Sequence, residues 1–187
     1  MLNNPPTRTF ESNDRKIGPY SFNIGNNSLY LINIDQKYKI LLCACKSYVP
    51  GTKNGILMIL MAINKKNLTT FTPKFYPTEE FEVNCFYTIY ELEECNHFYI
   101  LAGGFEIEKR RGMVKLYRLS CNIASQSVEM QFIQDSIEDF DEDFDGMINN
   151  IIKYRDKSIK ITCSTGKNYL FSLPENDNIF KFYEELF

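Results

Sequence analysis

The sequence predicts an all-β chain built from recurring antiparallel units of four strands, and three observations carry that reading. The stretch YILAGGFEIEKRRGMVKLYRL, Tyr99 to Leu119, is an apolar run closed by a glycine pair, then a charged loop, then a second apolar run that begins at Gly112. The same phrase occurs earlier as KILLCACKSYVPGTKNGILMILMAI, Lys39 to Ile63, and later with a shorter loop as SIKITCSTGKNYLFSL, Ser158 to Leu173. The copies hold register: Lys39, Tyr99 and Ile159 open corresponding strands about sixty residues apart, and Gly55, Gly112 and Gly166 open the strands that follow. A period of that length marks an array of supersecondary units. Aromatic content of 14%, with 15 Phe and 12 Tyr, adds ring side chains that pack well on a pleated surface.

Composition narrows the classes of function. At 187 residues and 44% hydrophobic, the chain fits one ordinary domain or a little more, with a real core. A formal charge of −3, from 21 basic and 24 acidic side chains, supplies no global positive field for nucleic acid or anionic lipid. No apolar run reaches membrane-spanning length, and MLNNPPTRTF lacks the charged-then-apolar order of a signal peptide. The expectation is a soluble protein of the cytoplasm or nucleus. Six cysteines, Cys43, Cys45, Cys85, Cys95, Cys121 and Cys163, include no C-x-x-C pair, and Cys43 with Cys45 share one face of a strand at a separation that suits neither a zinc knuckle nor an ordinary disulfide. Buried, reduced thiols are expected.

Taken in order, residues 1–19 carry adjacent prolines and mixed polarity without a period and are expected to form a flexible N-terminal arm. Tyr20 onward reads as a short strand, a Gly25-Asn26-Asn27 turn and a second strand from Leu29 to Ile34, which is hairpin chemistry. Tyr38 to Cys45 and Gly55 to Ile63 follow, joined by a loop rich in turn residues. Leu68 to Tyr76 alternates as a further strand, with Pro73 marking an edge or a bulge. Phe81 to Glu91, Tyr99 to Gly104, Gly112 to Leu119 and Val128 to Ile133 make one complete unit. Met147 to Tyr154, Ile159 to Cys163 and Tyr169 to Leu173 make three strands of another.

Four antiparallel strands per repeat is the blade of a β-propeller. The sequence also resembles the WD40-like β-propeller superfamily, through Tyr99-Ile-Leu-Ala-Gly-Gly followed by Gly112-Met-Val-Lys-Leu-Tyr-Arg-Leu, and through Ile159-Lys-Ile-Thr-Cys-Ser-Thr-Gly-Lys-Asn-Tyr-Leu-Phe. The resemblance covers roughly Tyr38 to Leu173 and implies a partial propeller, whose repeats are expected over residues 20–173. Propellers close with about four to eight blades, whereas at most two full blades and three strands of another are offered here, so either the chain is a fragment of a longer protein, or other proteins or a second copy complete the arc, or the strands close differently as a barrel or sandwich.

No constellation of reactive groups points to an enzyme, and no cofactor is expected. His97 is the single histidine, in a turn after Glu93-Glu94-Cys95-Asn96, without a G-x-S-x-G or family cysteine signature. A pocket holding it with ionisable partners would favour catalysis. Thr165-Gly166-Lys167 is not a phosphate loop, because Ile161 and Asn168 stand where glycine and a hydroxyl are required. Gly103-Gly104 lacks the glycine spacing of a dinucleotide site.

What remains is recognition. Lys109, Arg110 and Arg111 lie at a loop tip beside Glu106 and Glu108. Three charges are few for a phosphate backbone, and a solvated tip or a protein contact is the expected role. The acidic run from Asp135 to Gly146 aligns Asp141, Asp143 and Asp145 ahead of Gly146 and Asn149, an approximation to a calcium loop. Its twelfth position is Ile152 rather than a bidentate Glu, so a calcium-dependent binding module using residues 139–149 is the alternative to a non-catalytic protein–protein scaffold, and no metal ligand is assigned. In residues 174–187, Ile179, Phe182, Tyr183 and Leu186 recur at helical spacing. A short C-terminal amphipathic helix is expected, packing on its own domain or anchoring in another chain through Phe182, Tyr183 and Phe187.

Overall fold

A computed structural model of the chain describes residues 14–17, 20–23, 29–45, 54–64, 67–92, 97–135, 144–155 and 158–172. Every regular element among them is a strand, and every pairing is antiparallel. A hairpin of β1 (Asp14–Ile17) and β2 (Tyr20–Asn23) comes first. The first sheet contains β3 (Leu29–Asn33), β4 (Tyr38–Cys45) and β5 (Gly55–Asn64), with β6 (Asn67–Thr70) and β7 (Lys74–Pro77) both paired to the far edge of β5. The second is the four-stranded meander β8 (Phe81–Leu92), β9 (His97–Glu106), β10 (Arg111–Asn122) and β11 (Ser127–Asp135). The third joins β12 (Ile148–Arg155), β13 (Ser158–Cys163) and β14 (Asn168–Ser172). In each sheet the spatial order of strands is the order in the chain.

The alternation of side chains explains how these sheets stack. On β9, Phe98, Ile100 and Ala102 join the core shared with the first sheet, whereas Tyr99 and Leu101 join the core shared with the third. A strand buried on both faces loses its polar alternation, and β9 reads as a nearly unbroken buried run. β4 and β5 behave likewise: Ile40, Leu42, Ile56, Met58 and Leu60 face the second sheet, while Cys43, Cys45, Leu57, Ile59 and Met61 form a cluster on the opposite face. β13 alternates strictly, with Ile159, Ile161 and Cys163 buried, because among the described residues one face of the third sheet packs on the second. The order of layers is therefore first, second and third sheet, and β2 runs beside β4.

The sheets approach one another around β8. β12 packs chiefly on β8, and β3 and β4 also meet β8. Polar groups join the layers there: the Thr88 N–H donates to Tyr30 Oη at 3.0 Å, and Asn84 Nδ2 donates to the Ile148 carbonyl at 3.1 Å. Gly103 makes the approach of β12 possible, since a Cβ at that position would stand 2.6 Å from Ile148 Cγ2 and 2.8 Å from Cys85 Sγ.

Three local expectations are corrected. Leu68 to Tyr76 is not one strand: the chain leaves β5 at Phe71–Pro73, where proline has no N–H to give a ladder, and returns as β7. The segment from Tyr20 does not pair with Leu29–Asn33 among the described residues; β2 pairs with β1 and β3 with β4. Asp14–Ile17, within the stretch read as an arm, is a strand. The C-terminal helix expected at 174–187, with Phe182, Tyr183 and Phe187, lies outside the described residues, as do residues 1–13.

Cys43, Cys45, Cys85, Cys121 and Cys163 are free and buried. Burial pushes the Cys43 and Cys85 thiols up to about 12 from an ordinary 9.0, and the Cys45 and Cys121 thiols up to about 11. The folded state thus holds the neutral thiol. Its contribution is complete below pH 9.0 and is lost as pH rises toward about 12, because the unfolded chain releases protons that the folded chain keeps. By about pH 10 the Cys43 and Cys85 thiols should each cost about 1 kcal/mol. Urea midpoints are expected to fall from pH 9 upward, with a shallower slope in Cys85→Ala; an equal slope in the variant would contradict the assignment.

Candidate partner-binding rim

Antiparallel meanders put alternate connections at opposite ends of a sheet. At one end of the stack stand the β9–β10 turn Ile107–Arg110, the β13–β14 turn Ser164–Lys167, the end of the β4–β5 connection at Asn54, and the two links between sheets, Thr78–Glu80 and Phe144–Met147. Hydrogen bonds join them in series. Asn54, buried, accepts from the Thr78 N–H at 3.0 Å and donates through Nδ2 to the Glu79 carbonyl at 3.0 Å. The Ile107 N–H then donates to the Glu80 carbonyl at 2.8 Å. Gly112 bridges Phe144. The Ser164 N–H donates to the Met147 carbonyl at 2.8 Å, and Thr165 Oγ1 donates to the Asp145 carbonyl at 2.8 Å.

The exposed side chains of this rim include charges of both signs, Glu79, Glu80, Glu108, Lys109, Arg110, Asp145 and Lys167, with Ile107, Ser164 and Thr165 exposed beside them. Arg110 holds φ at 53° and Glu79 at 51°. A non-glycine residue in that left-handed region costs about 1–2 kcal/mol, and both occur where the rim turns. Arg111 is half-buried at the start of β10, opposite Glu106. Below the tip, on the face toward the first sheet, Glu106 holds Lys115 Nζ at 2.7 Å, and the ammonium lies 4.7 Å from the Phe81 ring centroid. Both partners are mostly buried, with side chains 10% and 16% exposed.

Of the acidic set, Asp145 and Asn149 are among the described residues. Asp145 forms an ion pair with Lys167 at 2.8 Å, while Asn149 accepts from Asn84 Nδ2 at 3.3 Å in the seam between the second and third sheets. Asp141 and Asp143 lie outside the described residues. Ile152, at the twelfth position, is exposed on β12.

His97 opens β9 at the opposite end. It lines a cleft of roughly 630 Å³ with Ser120, Cys121, Asn122, Ser125, Ser127 and Glu129. His97, Ser120 and Glu129 occupy one cross-strand row, so the cleft does hold an ionisable partner for the histidine. No hydrogen bond joins His97 to Ser120 or Glu129. The thiol of Cys121 is pushed up to about 11 by burial, the reverse of what an activated nucleophile requires.

Sequence reasoning missed the part played by four residues of the rim region. Asn54 was visible as half of an Asn-Gly turn, and its role as a bridge to Thr78 and Glu79 needed the fold. Lys115 and Glu106 carried the signal of isolated charges inside apolar runs. Lys167, set aside with the phosphate-loop pattern, is the counter-ion of Asp145.

Comparison with family models, curated proteins and solved structures returns no match to this chain.

Proposed function

We propose that this chain is a non-catalytic protein–protein interaction scaffold, a partial WD40-like β-propeller whose charged rim meets a partner protein. The observation that carries the reading is the rim itself: turns from three successive sheets, hydrogen-bonded in series, present charged side chains on a backbone that the stack holds in place. Loops on a rigid scaffold are where recognition resides. The propeller reading is supported by the order of strands in each sheet, by the sequential stacking and by the approach of β3, β4 and β12 to β8, features that a run of blades also has. Free, buried thiols suit a reducing compartment such as the cytoplasm or nucleus.

Lys109 and Arg110 are the side chains to change, because they are exposed at the tip and lie outside both apolar cores. In quantitative affinity capture from cells of the source organism, Lys109→Glu with Arg110→Glu should reduce recovery of the wild type's specific partners by about tenfold. The melting temperature should stay within a degree or two. Unchanged recovery across a salt series would sink the rim as the contact surface.

A further inference from the structure

We infer that a second copy of this chain pairs with the open edge of β14, turning the three-stranded third sheet into a continuous sheet across two protomers. The inference rests on the reading that the stack is completed from outside the chain, and it names the place and the occupant. The first and second sheets are each four strand positions wide, counting β6 and β7 as one broken position, and the third is three. Among the described residues β14 pairs with β13 alone.

The register shows which backbone groups are offered. The Cys163 N–H donates to the Lys167 carbonyl at 3.0 Å, so the alternate pairs Ile161↔Tyr169 and Ile159↔Phe171 also exchange hydrogen bonds with β13. Asn168, Leu170 and Ser172 therefore direct their N–H and C=O groups away from β13. Natural edge strands are blunted by charge, proline or a break. The β5 side of the first sheet ends in the interrupted β6 and β7 with Pro73 and Lys74, and β11 carries an exposed Glu129. β14 has none of these devices between Asn168 and Ser172, and it exposes 59% of Leu170.

The strand is also complementary to itself. An antiparallel pairing centred on Leu170 sets Leu170 opposite its symmetry mate and Tyr169 opposite the partner's Phe171. Tyr169 and Phe171 already lie on the inner face beside Phe144, with ring centroids 4.9 and 5.9 Å away. Cross-strand aromatic pairs would extend that cluster through the two-fold axis, and an isologous contact of this kind closes at a dimer. No like charges are brought opposite each other within Asn168–Ser172.

Sedimentation of the full chain from about 1 to 100 µM tests this, since one short strand pair is a modest interface. The wild type should rise to twice the chain mass. Leu170→Lys, at an exposed position, and Leu170→Pro, which removes an N–H that β13 does not use, should both remain at the chain mass with an unchanged melting temperature. A wild type that stays monomeric overturns the inference, and protection of the Leu170 amide in that monomer would assign the edge to the chain's own residues. A dimer that survives both substitutions overturns it as well. Reversal of Lys109 and Arg110 should leave the mass unchanged, so failure of the dimer and failure of the rim are read separately.

Discussion

Gly112→Ala should detach the third sheet from the second and lower stability by about 3 kcal/mol, the upper range for forcing atoms into a packed interior. A Cβ at Gly112 would lie 2.1 Å from the Gly146 carbonyl oxygen and 2.9 Å from Phe144 Cβ, and the first of these is backbone that cannot rotate away. The Phe144–Met147 link is tied from its other side by Lys167 on Asp145, by Thr165 on the Asp145 carbonyl and by Ser164 Oγ, which accepts the Met147 N–H at 3.1 Å. It has nowhere to retreat without breaking those bonds or moving Phe144 and Ile148 out of the core they share with Val114 and Leu116. For a chain of this size the melting temperature should drop by about 6 to 12 °C.

The control is Gly166→Ala. That glycine sits at φ 86° with open space around its Cβ position, so alanine there meets only the left-handed backbone cost, about 1–2 kcal/mol. In hydrogen exchange, Gly112→Ala should accelerate the amides of β12, β13 and β14 together while β4 and β5 stay protected by their own core. Uniform acceleration throughout the chain, or a loss no larger than that of the control, would show that Gly112 is not the hinge of that interface.

The successive antiparallel strand pairs were legible because they are written in two independent signals. Apolar runs marked β4, β9 and β13, and Gly55, Gly112 and Gly166 marked the strands after them. What the glycine at 112 does was not legible: the atom it accommodates belongs to Gly146, which only the stacking of sheets brings near. The same holds for the rim. Asn54, Glu80, Ile107 and Ser164 are far apart in sequence, and their hydrogen bonds follow from topology rather than from any local pattern. Turn chemistry at Gly25 suggested a hairpin between neighbouring strands, but strand pairing is a tertiary choice, and β2 pairs backward with β1 instead. Spacing aligned Asp145 with its acidic neighbours, while the fold gave it to Lys167 across a turn.

Removing Glu106 should cost nearly as much as Gly112→Ala, and the partition of that cost is the informative quantity. A mostly buried ion pair stabilises little relative to apolar residues of the same volume, because both charges have left water. Breaking it is expensive, since the remaining charge is held where it is poorly solvated. Glu106→Ala leaves the Lys115 ammonium between the Phe81 and Phe132 rings, 4.7 and 6.0 Å from their centroids, and that contact recovers part of the loss. Lys115→Met leaves a carboxylate beside the apolar core with no ring to favour it. About 2 kcal/mol is expected for the first variant and about 3 kcal/mol for the second. The double variant with methionine at both positions should lie within about 1 kcal/mol of the wild type, and with Glu106→Met, expected to cost about as much as Glu106→Ala, as the matching single variant, a double-mutant cycle followed by urea unfolding should give a coupling of roughly 4 kcal/mol. Because Glu106 ends β9 at the base of the Ile107–Arg110 tip, Glu106→Ala should also raise exchange at the tip amides, whereas the double methionine variant should not. Additive single effects, or a tip indifferent to Glu106, would mean that the pair is a passenger and that the hydrogen bond from Ile107 to Glu80 alone fixes the rim.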